Sequence, residues 1–428
     1  MAITAVRAPI GAGAELSSRA AAEAYVGGVC FKQGPPALIG AELEWLTAQD
    51  GPSAPGGRPE LSELANALGP HAPRSLSAES PALPLPGGSR VTVEPGGQIE
   101  LSSAPFGAAA ELCERLREDA HLLETLLHTR SIRILSGAAD AARDPSRVLQ
   151  LPRYRAMERS FDGIGPFGRL MMCNTAATQV SVDAGADPAE VAARWTALYA
   201  VGPALLAAFA CSPDLAGAPA GVWASQRMRA WLRLDHARTR PSVRHWSDPV
   251  TDYGRWALDV PLLCVRRAEG EQDWAAPPGA TFADWLCGAL DDEVGRRPEA
   301  ADLDYHLSTM FPPVRASGHL EVRYLDAQPG DAWSVPIHAF EALMSTPAVV
   351  AEATRLAAPV ADQWLEAARG GLADPQIRSA AVDLLLLAAT HAATPGAAGE
   401  LLAAAHRCRA GRTPTGEVAV HPRSEAGE

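Results

Sequence analysis

Glu42 and Glu44 stand two residues apart in Gly40-Ala41-Glu42-Leu43-Glu44-Trp45. Side chains alternate along an extended chain. As a strand, this hexapeptide sends both carboxylates to one face and Ala41, Leu43 and Trp45 to the other. The alternation over 38–46 predicts such a strand. Taken alone, the pattern equally describes a surface strand with two solvated glutamates. What the chain folds into therefore turns on whether other acidic strands share that face.

Three further segments have the same character. The first is Glu94-Pro95-Gly96-Gly97-Gln98-Ile99-Glu100-Leu101-Ser102-Ser103. Its Pro-Gly-Gly permits a sharp turn, which predicts strand pieces over 90–93 and 98–102. Glu100 then points away from Ile99 and Leu101. The second, Thr178-Gln179-Val180-Ser181-Val182-Asp183, is a strand with Gln179, Ser181 and Asp183 on one side. In the third, His319-Leu320-Glu321-Val322-Arg323-Tyr324-Leu325-Asp326, the residues His319, Glu321 and Arg323 share a face. By itself that last pattern fits a cross-strand ion pair, which is usually worth little.

We expect Glu42, Glu44, Glu94, Glu100 and Glu321 to meet on one sheet face. Two like charges at 4 Å repel by roughly 4 kcal/mol at an effective dielectric near 20. Divalent cations remove that penalty. Carboxylate and amide oxygens are hard ligands, so magnesium or manganese suits them and zinc does not.

The rest of the chain sets the frame. A short helix over 15–29 is capped by Ser17 or Ser18. Leu112, Leu116, Ala120, Leu123 and Leu127 recur at helical spacing. A short strand covers 131–135. Asp187-Pro188-Ala189-Glu190 resembles a capping box, and the helix it opens is expected to run towards Cys211. Residues 336–410 are Ala/Leu-rich and predict a helical flank. The polar stretch 411–428 is expected to lack structure. Met1 to Ser18 lacks the pattern of a secretory leader. Seven scattered cysteines without C-x-x-C spacing argue against disulfides or zinc and for a reducing, cytoplasmic compartment. A net charge of −13 disfavours nucleic-acid and membrane partners.

These segments resemble the glutamate–cysteine ligases, specifically the plant-like group and the actinobacterial ligases that feed ergothioneine synthesis. The matches stand in family order between about residues 20 and 370. They are the Glu42 strand, the run from Glu94 to Ser102, Arg153-Tyr154-Arg155-Ala156-Met157-Glu158 and Thr178-Gln179-Val180. Trp231 with Asp235 and Arg238, the run His306 to Arg315, and Glu321-Val322-Arg323-Tyr324 complete them.

The resemblance implies an α+β fold of the glutamine-synthetase type: a curved, largely antiparallel sheet flanked by helices, with the site on its concave face. It implies one catalytic domain over 1–410. It implies that Glu42, Glu44, Glu94, Glu100, Gln179 and Glu321 hold Mg²⁺ (or Mn²⁺) between ATP and glutamate. Arg323 then lies along the ATP phosphates, and Arg155, Trp231 and Arg238 surround the glutamate or the transferred phosphate. The implied reaction joins glutamate to cysteine through γ-glutamyl phosphate. The residues alone leave Arg153, Arg155 and Arg159 open to a solvated basic edge, and Trp231 open to core packing. His306 and His319 read as structural. Ser181, Ile99 and Arg240 depart from the family pattern, and Ser181 and Arg240 bear on the amine acceptor. Another acceptor, a phosphotransferase on the same fold and an inactive nucleotide sensor are the competing readings.

Overall fold

Seven strands form the sheet: β1 (Ile39–Gln49), β2 (Arg90–Val93), β3 (Ile99–Ser102), β4 (Ile132–Leu135), β5 (Ala177–Val182), β6 (Val314–Ala316) and β7 (Leu320–Asp326). In this computed structural model their order is β2-β3-β1-β5-β7-β6, with β4 paired to the far end of β1. Every pairing is antiparallel. The structure describes residues 16, 18–34, 37–50, 56–241, 243, 246–267 and 270–419.

The expected alternation decides which face is which. Leu43, Val180, Val182, Leu320 and Val322 are buried in the main core. Val91, Ile99 and Leu101 enter a second core with Leu123 and Leu127 of the helix Ala109–His128. The opposite face carries Glu42, Glu44, Glu100, Gln179, Glu321, Arg323 and Arg315. A sheet with one apolar face needs a covering layer. The helices Pro188–Ala200, Gly202–Phe209 and Ser334–Leu343 contribute to it.

The flank is helical as expected, in five pieces: Ser334–Leu343, Pro347–Ala357, Trp364–Gly370, Pro375–Thr390 and Pro395–Arg409. The helix opened by Asp187 differs from expectation. It stops at Ala200, and the chain restarts as Gly202–Phe209, bent by 46°. Gly202 abuts the Trp364 ring so closely that a Cβ there would overlap it. Asp187 Oδ1 accepts from the amides of Ala189 and Glu190, each at 2.9 Å. Glu190 reaches the Ala186 amide, one residue before the cap. Among the described residues no single helix is long and apolar enough to cross a membrane; the bent pair passes on length and composition, but most of its residues are buried.

Ser18 caps the first helix, Arg19–Cys30, by accepting from the Ala21 amide. Residues 411–419, expected to be unstructured, close a turn through an Arg412–Val418 bridge. The rest of that tail, 420–428, lies outside the described residues, as do residues 1–15 and 17 of the segment read for a leader.

Candidate active site

Register brings the acidic residues together. Glu44 lies directly opposite Glu100 in the β1–β3 pair, and Glu42 opposite Gln179 in the β1–β5 pair. Ser181 lies opposite Glu321, which in turn faces Arg315 on β6. Between Thr178 and Val180 the β5–β7 register shifts by one, leaving Gln179 opposite both Arg323 and Tyr324. Such bulges re-aim side chains and are common beside active sites.

The carboxylates differ in how they are compensated. Glu44 accepts from the Ala177 amide at 2.8 Å and from Gln179 Nε2 at 2.9 Å. Glu100 Oε1 accepts from Thr92 Oγ1 at 2.7 Å and Ser102 Oγ at 3.1 Å. Burial, and then the charges of Glu100 and Glu321, push the Glu42 carboxyl well above its ordinary range. Burial and Glu100 raise Glu44 as well. Glu321 is the exception. Burial works to raise it, but Arg315 and Arg323 outweigh that and hold it at about 2. Arg315 Nη2 donates to it at 2.8 Å, and Arg323 Nη1 forms a second ion pair.

Among the described residues, no three His, Cys, Asp or Glu side chains group tightly enough to enclose one metal ion. The face is instead a ladder with unmet acceptors. Glu100 Oε2 and Gln179 Oε1 are buried without a hydrogen-bond partner. Orphaned buried acceptors are costly. Hard oxygens left open beside like-charged carboxylates fit a divalent cation whose shell is completed by substrate oxygens.

One end of the ladder opens into a recess of about 30 Å³ among Glu44, Glu94, Tyr154, Arg227, Trp231 and Arg323. Glu94 stands at the β2–β3 turn, beyond the end of β2, and reaches the site from there. Trp231 sits on the helix Gln226–Arg233. Its Nε1 donates to the Phe311 carbonyl at 2.8 Å, and Arg227 and Arg323 each lie 5.3 Å from its ring centroid. It therefore packs and walls the recess at once.

Arg227 escaped the sequence reading. It is buried, and burial lowers its pKa. Its Nη2 donates to the Arg323 carbonyl at 2.7 Å. Asp326, at 3.9 Å, is already satisfied by Ser212 Oγ, Ser225 Oγ and the Cys211 amide. The signal in the sequence was its spacing of four from Trp231, which puts both on one helical face.

Two expected substrate contacts stand apart. Arg238, 1% exposed, spends its donors on Asp235, Thr309 and the Pro261 carbonyl. Arg155 bonds Gln272 and does not line the recess. Arg153 binds Ser308, and Arg159 pairs with Asp273 at the surface. His306 is structural: its Nε2 lies 2.8 Å from the Ala257 carbonyl, and burial lowers its pKa to about 3. A larger cavity of about 620 Å³, bordered by Trp195, Tyr199, Arg240 and Trp364, contains none of the sheet carboxylates. We take the small recess as the site because the charged groups converge there.

Comparison with known proteins shows the family and the fold. The sequence model for glutamate-cysteine ligase family 2 matches residues 38–428. The glutamate–cysteine ligase EgtA of Mycolicibacterium smegmatis is 36% identical over 383 residues, covering 88% of this chain and 86% of that protein. EgtA of Mycobacterium tuberculosis matches at 36% over 89% and 85%. A chloroplastic glutamate–cysteine ligase of Medicago truncatula is 32% identical over 57% of this chain and 48% of its own. Among solved structures, the Francisella tularensis glutamate–cysteine ligase in complex with AMP has the same fold. Its TM-score is 0.52 at 13% identity, over 90% of this chain and 84% of that one.

Proposed function

Because this chain belongs to glutamate-cysteine ligase family 2, we propose that it is the ATP-dependent ligase that joins the γ-carboxyl of glutamate to the amine of cysteine. The observation that carries this is the recess itself. The half-buried carboxylates of Glu44 and Glu94 line one side, and two buried arginines, Arg227 and Arg323, flank Trp231 on the other. Such a site suits a substrate with both anionic and metal-bridged groups.

The proposed reaction has two steps. The glutamate γ-carboxylate attacks the ATP γ-phosphorus in line and ADP leaves, giving γ-glutamyl phosphate. The cysteine amine then attacks the acyl carbon and phosphate leaves. Glu42, Glu44, Glu94, Glu100, Gln179 and Glu321 would hold Mg²⁺, or Mn²⁺. Bound there, the ion would supply positive charge to neutralise the phosphate oxygens. Arg323 keeps a buried Nε without a protein partner and would lie along the γ-phosphate. Its pairing with Glu321 fixes the guanidinium before substrate arrives, which is electrostatic preorganisation. Arg227 would receive a substrate carboxylate. Trp231 excludes water that would hydrolyse the acyl phosphate. Arg155 and Arg238 support the surrounding wall. The likeness to the two EgtA ligases supports a place in ergothioneine synthesis.

The test is ADP release with glutamate and Mg²⁺, with and without cysteine, with the product identified by mass. Cysteine-dependent release giving γ-glutamylcysteine is expected. Glu321→Gln and Arg323→Ala should abolish it while the fold survives. Release that ignores cysteine but answers another amine replaces the acceptor. No glutamate-dependent ATP use removes the reading.

A further inference from the structure

Gln98 is buried, 2% exposed, and it borders the recess. It stands at the entry to β3, two residues before Glu100. Half of its amide is used. Nε2 donates to the Thr175 carbonyl at 2.9 Å and to the Met172 carbonyl at 3.3 Å. Among the described residues Oε1 has no hydrogen-bond partner. The two carbonyls also fix which end of the amide is which, because a flipped amide would set oxygen against oxygen. A buried acceptor left unmet is costly. Oε1 is therefore placed for a donor that the protein itself does not supply.

The neighbours say what kind of donor. Glu44 and Glu94 border the same recess, as do Arg227 and Arg323. The recess thus offers oxygens to a cation and guanidinium groups to an anion. Those are the two halves of an α-amino-acid head group. A recess of about 30 Å³ holds a head group and not a whole substrate, so the rest of the molecule extends along the ladder.

Glutamate and cysteine both carry such a head group, and their chemistry separates them. The cysteine amine must give up its proton before it attacks, and oxygens that accept from an ammonium keep that proton in place. The α-amine of glutamate has the opposite need. Unprotonated, it would attack its own Cδ in γ-glutamyl phosphate; phosphate would leave and a five-membered lactam would close in place of γ-glutamylcysteine. Length agrees. Two residues along a strand span about 7 Å, so an extended glutamate with its α-ammonium at Gln98 brings its γ-carboxylate to the ladder beside Glu100. We propose that Gln98 binds glutamate, its Oε1 accepting from the α-ammonium while Arg227 takes the α-carboxylate. This rests on the ligase reading above.

Glutarate is glutamate without the α-amine, so it reads this contact alone. With the full-length protein, Mg²⁺, ATP and cysteine, KM for glutamate and the inhibition constant of glutarate against glutamate are measured from ADP release. Wild type and Gln98→Met are compared. In the wild type the glutarate constant is expected at least about 30-fold above KM for glutamate, the worth of one charge-assisted hydrogen bond. Gln98→Met is expected to raise KM for glutamate about 30-fold and to leave the glutarate constant within about twofold. Equal rises in both constants overturn the proposal, because they mean that Gln98 only braces the Met172 and Thr175 carbonyls or holds a water. A wild type that binds glutarate as well as glutamate overturns it without any variant. Glutamate-dependent ADP release with equal rises keeps the ligase and removes this contact. No glutamate-dependent release removes both.

Discussion

Arg227 is a buried guanidinium whose ion pair with Asp326 is long, at 3.9 Å. That carboxylate already accepts from Ser212, Ser225 and the Cys211 amide, and in the proposed reaction Arg227 completes its pairing with a substrate anion. Arg238 is equally buried, yet carbonyls and Asp235 meet its donors. Burial and charge do not separate these two; the partners do. A charge-assisted contact contributes about 2–3 kcal/mol. Arg227→Met is therefore expected to lower kcat/KM by roughly 30- to 160-fold. The unfolding temperature should fall as well, because the substitution removes one partner of a buried ion pair and leaves Asp326 without its cation. Steady-state kinetics with a thermal melt of the same sample checks both; unchanged kcat/KM would remove Arg227 from the site. The glutamates were legible in the sequence because strand alternation sorts faces without any tertiary knowledge. Arg227 was not, because Gln226-Arg227-Met228-Arg229 reads as an ordinary amphipathic helix until its depth is known.

The decisive element is the turn between β2 and β3. Pro95-Gly96-Gly97 was readable as a turn, and Gly97 has a φ of +88°, which favours glycine. Gly96 is there for another reason. It is pressed against the end of the helix Phe167–Asn174, where a Cβ would overlap the Cys173 backbone. Around it, Arg58 Nε donates to the Gly96 carbonyl at 3.2 Å and bonds Asn174, and Thr47 Oγ1 donates to the Gly97 carbonyl at 3.0 Å. Gln98 Nε2 donates to the Thr175 carbonyl at 2.9 Å. These bonds tie the turn that carries Glu94 to β1 and to the entry of β5. Gly96→Ala forces that turn outward, and overpacking of this kind costs about 1–3 kcal/mol. The expected outcome is a lower unfolding temperature together with a rise of roughly tenfold or more in the Mg²⁺ concentration needed for half-maximal rate. A variant with normal Mg²⁺ dependence would show that the turn does not set the geometry of Glu94. The close approach, like the break at Val201 against Trp364, joins residues distant in sequence, so no local pattern announces it.

At the scale of the molecule, the sheet is a partition. Helices cover its apolar face, and the polar face carries a ladder of carboxylates that ends in two buried arginines. The individual strands and the helical flank were legible, because strand and helix periods differ; the α+β class and the antiparallel pairing came with the family resemblance. The neighbour order β2-β3-β1-β5-β7-β6 was not, since alternation assigns a residue to a face and never to a partner strand. That order is what sets Glu44 against Glu100 and Glu42 against Gln179. In the reaction proposed above, the ladder and the arginines bring a carboxylate of the substrate against a phosphate of ATP. If so, an oxygen of that carboxylate ends in the phosphate that is released. The direct test supplies glutamate labelled with ¹⁸O in its γ-carboxylate, together with ATP, Mg²⁺ and cysteine, and weighs the inorganic phosphate. The account requires one ¹⁸O per phosphate, in step with γ-glutamylcysteine formed. Unlabelled phosphate, with product still forming, would contradict it, because the carboxylate would then never have been phosphorylated.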